Sequence, residues 1–270
     1  MTASTPSLDG DLDRLWAVGD EAGARGAEVV FGAASTAQLG RDAEAKGVGD
    51  WVTEADRASE HAIRTYLERA TPDVPVLGEE EGGERGERFW AVDPLDGTTN
   101  FMIGFPIVAV SVALVQEGQP VVGSVRAPLL GLAFSAARGR GAWSGADRLR
   151  VSGRSPERAI VATGFPFRRR EHRPRHAAAF SRVLAGVEDV RRAGAAALDL
   201  AWVAAGVFDG YFELDMMVWD LSAGALLVEE AGGIVTDWAG GTGHLSTGDV
   251  AAGSPSTHAL LLDATRGAGR

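Results

Sequence analysis

The sequence predicts an α/β chain of the layered, α+β kind, with mixed sheets sandwiched between helices. Three observations predict it. The stretch from Phe89 to Val151 is a succession of short apolar strands with turn residues between them. Ala- and Glu-rich segments with helical apolar spacing precede it, and after Ala159 strand-like and helix-like segments alternate.

Taken in order, residues 1–10 read as a loose tail. Leu12 to Phe31 reads as a helix, with Leu12, Leu15, Trp16, Ala22, Val29 and Val30 as its apolar set. Asp50 to Tyr66 starts extended at Trp51-Val52-Thr53, then becomes helical with Ala58, Ala62, Ile63, Tyr66 and Leu67 inward. Val74 to Leu77 is a short strand, and Gly78 to Gly86 an acidic, Gly-rich loop. Phe89 to Val92 is a buried strand that should stop at Pro94, which has no N–H for a ladder. Ile107 to Gln116 and Pro120 to Arg126 form a hairpin around Glu117-Gly118. Leu132 to Ser135, Gly141 to Trp143 and Leu149 to Val151 continue the strands. Beyond them come strands at Ala159–Ala162, Val190–Arg192, Phe208–Leu214, Ile234–Thr236 and Val250–Ala252. Helices are expected at Arg173–Leu184, Ala195–Ala205, Asp220–Ala231 and Thr257–Ala264. Pro174 suits a first helical turn, and Gly232-Gly233 supplies a stop. In Phe208–Leu214, Tyr211 and Glu213 share the face opposite Phe212.

The composition excludes several kinds of chemistry. At 270 residues the chain is near the size where one core stops growing, about 250–300 residues. One large domain or two tightly packed halves are expected. The formal charge of −11 argues against a nucleic-acid-coating protein. There is no Cys, which removes disulfides, thiolate metal sites and Cys nucleophiles. Lys46 is the one lysine among 26 basic residues and follows Ala45, so there is no Walker A loop. A Schiff-base enzyme could rely only on Lys46. The N-terminus has no basic or apolar signal region. The longest apolar run, Phe105 to Val115, is shorter than the roughly 20 residues of a membrane span. A cytoplasmic protein is expected.

Candidate chemistry gathers in three places. Glu79-Glu80-Glu81 precedes a strand that delivers Asp93-Pro-Leu-Asp96-Gly97-Thr98-Thr99-Asn100-Phe101. Two carboxylates three residues apart across a turn can converge, and the N–H groups of Gly97 and Thr98 would suit an anion there. Hard oxygen ligands beside an anion-binding turn describe a Mg²⁺–phosphate site. An Asx-turn would equally account for Asp96-Gly97. Trp219-Asp220 opens a helix, where Asp220 could be simply an N-cap. Thr53 and Asp56 have the same alternative reading as helix-start residues.

Together these segments resemble the inositol monophosphatase family, within the lithium-sensitive, Mg²⁺-dependent phosphatases. The resemblance covers roughly residues 40–255. It rests on four motifs in order: Lys46…Asp56, Gly78-Glu79-Glu80, Asp93-Pro-Leu-Asp-Gly-Thr98 with Asn100-Phe101, and Trp219-Asp220…Glu230-Ala-Gly-Gly233. A fifth stretch, Gly194 to Asp199 with Asp209 to Glu213, looks like the family's substrate-facing region. The resemblance implies an αβαβα sandwich, a single domain over 1–270 in two packed halves dividing near 150–190, and usually a homodimer. It implies two or three Mg²⁺ ions. Glu79, Asp93 and the Leu95 carbonyl would hold the first, and Asp93, Asp96 and Asp220 the second. Glu79 would help position a third. Thr98, oriented by Asp56, would act with Glu79 on the attacking water. Gly97 and Thr98 would grip the phosphate, while Asp96, Ala196, Glu213 and Asp220 would meet the rest of the substrate.

Other features read less functionally. His172 and His176 could share a helix face as zinc ligands, but lie in the basic run Arg168 to His176, which reads as a solvated face or a lure for anions. The seven Trp residues are scattered and read as packing anchors. Thr99-Asn100-Phe101 and Phe105 to Ser111 resemble the inositol branch. Ala195 departs from the family's frequent Ser or Thr, and Met217 from the His of some members. Histidinol phosphate, a sugar phosphate or a 3′-phosphonucleotide is the alternative substrate. A protein-binding regulator of the transcription machinery is the alternative role.

Overall fold

The structure, a computed structural model, describes residues 8–35, 43–47 and 50–268. The expected tail over residues 1–10 is only partly testable. Residues 8–10 belong to the first helix, and 1–7 lie outside the described residues.

Helix α1 (Leu8–Ala34) opens the chain. A short antiparallel pair, β1 (Glu44–Gly47) and β2 (Asp50–Val52), leads into α2 (Glu54–Ala70). A seven-stranded sheet follows in simple order: β3 (Val76–Gly78), β4 (Arg88–Asp96), β5 (Ala109–Gln116), β6 (Gln119–Ala127), β7 (Leu132–Ala137), β8 (Gly141–Ser144) and β9 (Asp147–Arg148). Between β4 and β5 lies α3 (Thr98–Met102), about one and a half turns. The second sheet contains β10 (Ile160–Thr163), β11 (Asp189–Arg191), β12 (Gly210–Glu213), β13 (Ile234–Thr236) and β14 (Val250–Gly253). Its order is β11-β10-β12-β14-β13. Helices α4 (Arg173–Leu184), α5 (Ala196–Ala204), α6 (Val218–Glu230), α7 (His244–Thr247) and α8 (Pro255–Arg266) complete the fold.

Strand alternation sorts these elements into five layers. On β4, Trp90 and Val92 join Leu15, Ala22, Ile63 and Leu67 of α1 and α2. Phe89 and Ala91 turn the other way, toward Leu200 of α5 and Leu221 of α6. On β12, Tyr211 faces that same middle layer, while Phe212 packs with Val183 of α4 and Leu261 of α8. The order is therefore helices, seven-stranded sheet, helices, five-stranded sheet, helices: the expected αβαβα sandwich. Each large apolar side chain buried in it contributes about 1.5–3 kcal/mol.

Four local expectations need correction. Strand β4 does not stop at Pro94. Asp93 pairs with Ser111 and Asp96 with Ala109, so Pro94 and Leu95 together oppose Val110. The missing N–H of Pro94 falls in this bulge, where no ladder bond is needed. Its carbonyl accepts a 2.9 Å bond from the Ser59 hydroxyl of α2. Leu149 to Val151 is not a strand, although Leu149 N–H still bonds the Ala142 carbonyl at 2.8 Å. Asp220 is not the N-cap: it is the third residue of α6, with Met217 at the cap, whereas Thr53 caps α2 and Asp56 is its third residue, both at the helix start as expected. His176 is not on a solvated face. It is 2% exposed and stacks on Phe212 with centroids 5.6 Å apart.

Candidate active site

Parallel pairing puts the C-terminal ends of β3 and β4 side by side. Glu79 follows β3 directly, and its N–H bonds the Val92 carbonyl at 3.1 Å, one residue before Asp93. Asp220 arrives from the middle layer. The Ser111 hydroxyl, paired across from Asp93, donates to the Trp219 carbonyl at 3.0 Å and fastens the first turn of α6 there. Glu79, Asp93 and Asp220 thus each offer a carboxylate oxygen, all within 4.8 Å of one another.

Such a cluster is electrostatically uncomfortable without a cation. Burial pushes Asp93 and Asp220 well above the usual carboxylate range, and the Glu79 and Asp96 charges add to the effect. Lys46 Nζ lies 3.2 Å from Glu79 and 2.8 Å from Glu80, and Arg168 lies 3.8 Å from Glu79. Three convergent carboxylates suit a hard divalent cation of the Mg²⁺ or Ca²⁺ type. The absence of Cys and of any His in the cluster speaks against a softer metal.

Asp96 stands outside that triad. Its Oδ2 accepts the Ala197 N–H at 2.7 Å, at the start of α5. Desolvation raises its pKa to about 6, against the pull of the Ala197 and Ala196 amides. Ala195, at the cap position of α5, has no side chain to do this work, and Asp96 does it from another layer. Gly97 has φ 90°, a left-handed conformation natural to glycine, and its carbonyl accepts the Phe101 N–H at 3.0 Å. The Thr98 hydroxyl lies 3.0 Å from Asp56 Oδ1 and 3.1 Å from the Leu95 carbonyl. Asp56 Oδ2 accepts in turn from the Thr53 N–H at 2.8 Å and the Thr53 hydroxyl at 2.5 Å.

Glu79, Asp93, Asp96 and Asp220 line one cavity of about 280 Å³, with Leu95, Gly97, Thr98, Ala196 and Glu213 also in its wall, and Asp56 stands behind Thr98, outside the lining. Glu213 sits at the end of β12. The Tyr211 hydroxyl donates to its Oε2, and Gly164 leaves room for its carboxylate. Desolvation raises Glu213 to about 7, against the pull of that bond and of Arg192. Asp199, from the stretch expected to face the substrate, and Arg168 and Arg169, from the basic run, also line the cavity, together with Arg192, which the sequence did not mark. Asp199 is 2% exposed, and its Oδ1 has no hydrogen-bond partner. Asn100 was also missed as a tie: its side chain donates to the Ile107 and Ala193 carbonyls at 2.8 and 2.9 Å. His172 and His176 do not join a metal cluster. His172 pairs with Asp215 at 2.8 Å, and His176 Nε2 lies 3.1 Å from the Thr163 hydroxyl.

Known proteins resemble the chain over most of its length. The model of the inositol monophosphatase family matches residues 11–270. An inositol-1-monophosphatase of Mesorhizobium japonicum is 44% identical over 225 residues, covering 82% of this chain and 85% of its own. The Nus factor SuhB of Pseudomonas aeruginosa is also 44% identical over 225 residues, covering 80% and 83%. Among solved structures, the extragenic suppressor protein SuhB of Bartonella henselae superposes with a TM-score of 0.86 at 37% identity, covering 93% and 97%. The inositol monophosphatase of Anabaena (Nostoc) gives 0.85 at 34% identity, covering 95% and 97%. The chain belongs to the inositol monophosphatase family.

Proposed function

We propose that this chain is a Mg²⁺-dependent phosphomonoester hydrolase whose preferred substrate is an inositol monophosphate. The observation that carries the reading is the convergence of Glu79, Asp93 and Asp220 within 4.8 Å in the wall of a cavity that also holds Thr98 and Glu213. Glu79, Asp93 and the Leu95 carbonyl would hold one Mg²⁺, and Asp93, Asp96 and Asp220 a second. Glu79 would also serve a third, weaker ion. When bound, the ions neutralise charge at the attacking and leaving oxygens and make water more acidic.

The protein's own groups supply position and proton transfer. Asp56 holds the Thr98 hydroxyl, and Thr98 and Glu79 align the attacking water and help take its proton. The N–H groups of Gly97 and Thr98 would bind the phosphate, since the first N–H groups of a helix have no acceptor within it. Asp96, Ala196, Glu213 and Asp220 would meet the alcohol portion. Glu213 is suited to accept hydrogen bonds from polyol hydroxyls. Lithium sensitivity, a homodimer and a cytoplasmic location are proposed on family membership alone. No helix among the described residues is long and apolar enough to cross a membrane.

A phosphate-release panel with Mg²⁺ tests the reading. Its members are inositol monophosphates, histidinol phosphate, fructose 1,6-bisphosphate and 3′-phosphoadenosine nucleotides. The highest kcat/KM is expected for an inositol monophosphate. A clear preference for another member would replace the substrate, and no release from any would overturn the activity.

A second reading has its own support. Relatives 42–44% identical are called Nus factor SuhB, which favours a protein-binding role in transcription. If that role is separate from catalysis, an Asp93→Asn variant should lose phosphate release and still capture transcription-machinery proteins. Failure of the unmodified chain to capture any would remove this reading.

A further inference from the structure

The loop that carries Glu79 is built over a buried ion pair outside the cavity wall. Glu60 lies on the inward face of α2 and is fully buried. Its Oε2 accepts the Glu80 N–H at 2.8 Å, and its Oε1 accepts the Glu81 N–H at 3.0 Å. Arg64, one helical turn later, donates to the same Oε1 at 2.8 Å. The guanidinium also reaches the Val76 carbonyl at 3.1 Å and the Gly82 carbonyl at 2.8 Å. The loop is closed by the Gly78 N–H bonding the Gly82 carbonyl at 2.9 Å.

Two consecutive amides converging on one anion form a nest, and they fix the backbone that immediately follows Glu79. The backbone of Glu79 itself is tied to Val92, beside Asp93. Glu79 is therefore clamped on both sides. The close approach is also written into Gly78: a β-carbon there would lie 2.0 Å from Glu60 Oε1. A buried ion pair is a poor way to gain stability, because desolvation offsets most of its attraction, and apolar residues of similar volume often do as well. Its hydrogen bonds to loop amides and carbonyls give it something apolar residues cannot supply, which is direction.

We propose that Glu60, braced by Arg64, is a positioning residue for cation binding. It sets where the Glu79 carboxylate stands relative to Asp93 and Asp220, and so governs metal affinity rather than the chemical step. The inference rests on the reading of Glu79 as a metal ligand.

The test is calorimetric Mn²⁺ binding to the full chain, beside the Mg²⁺ dependence of phosphate release and the melting temperature. Glu60→Gln keeps the size but turns an NH₂ toward a loop N–H. Its Mn²⁺ affinity should fall about tenfold or more, with the Mg²⁺ needed for half-maximal rate rising in step and kcat at saturating Mg²⁺ within about threefold. Arg64→Gln leaves both amide bonds to Glu60 and should show a smaller loss of affinity, about threefold. It carries the test if Glu60→Gln does not fold. A brace that only stabilises the fold would lower the melting temperature and leave affinity unchanged, and that result in either folded variant overturns the proposal. No Mn²⁺ binding by the unmodified chain would overturn the metal reading itself, before any variant is compared.

Discussion

The two walls of the cavity are assembled in different ways. Asp93 on β4, Asp220 on α6 and Asp56 on α2 are each held by an amide close in sequence. Asp93 accepts the Leu95 N–H at 3.0 Å, Asp220 the Met217 N–H at 2.7 Å, and Asp56 the Thr53 N–H at 2.8 Å. On the α5 side the ties cross the molecule, although Glu213 on β12 is held locally by the Tyr211 hydroxyl. Asp96 reaches Ala197, 101 residues away, and Asn100 reaches Ala193, 93 residues away. The first wall is set by short segments that carry their own geometry. The second depends on how the two sheets stack. Chemistry placed on the first should be insensitive to the alcohol being released, and selection should reside in the second.

Asp93→Asn would break the first wall. Asp93 is shared by both proposed principal ions, so kcat should fall at least about 10³-fold on every substrate, on the order of 4 kcal/mol. The fold should persist, because Asn retains an acceptor for the Leu95 N–H and removes a buried, repelled charge. An unchanged kcat would reduce Asp93 to a bulge residue.

Glu213→Gln sharpens the contrast. Hydrogen bonds to charged groups contribute about 1.5–3 kcal/mol, so kcat/KM for an inositol monophosphate should fall roughly tenfold or more. Turnover of p-nitrophenyl phosphate, which has no polyol, should change little. Equal loss on both substrates would move Glu213 into the metal site or the fold.

The smallest expected effect is on stability. Burial pushes Glu213 up to about 7 in the folded chain, from the ordinary value of 4.5. The folded state therefore binds the proton more tightly, and stability falls as pH rises through the window from 4.5 to 7. The raised Asp93, Asp96 and Asp220 act in the same direction. Metal-free protein should melt at a higher temperature near the acid end of that window than above it, and Glu213→Gln should flatten part of the slope. A melting temperature that rises with pH across the window would contradict the shift.

The same division between local and distant ties explains what could be read from sequence. The helices were legible because Leu15, Ala22, Ile63 and Leu67 repeat at helical spacing, and β12 because Tyr211 and Phe212 alternate. Asp93 and Asp220 were legible because the amides that hold them are neighbours, and Thr98 through its place in the Asp93 to Thr98 motif, since Asp56, which holds it, is 42 residues away. The bulge at Pro94 was not, since it is defined by Val110 on another strand and relieved by Ser59 on a helix. Asp199 was legible only as part of a stretch resembling the substrate-facing region; its nearness to Glu213 depends on β12. His176 looked solvated in an Arg-rich run, and only Phe212, Phe165 and Phe180 packing around it show otherwise.

The most direct measurement is phosphate release from an inositol monophosphate by chelator-treated protein as Mg²⁺ is returned stepwise. Lys46 and Arg168 reach Glu79 at 3.2 and 3.8 Å, yet burial and the surrounding carboxylates still hold Asp93 and Asp220 well above the usual carboxylate range, so a metal's charge is needed there. Turnover should be absent without Mg²⁺ and should return saturably as it is added. Full turnover in the metal-free buffer would contradict the claim that Glu79, Asp93 and Asp220 work by holding a cation.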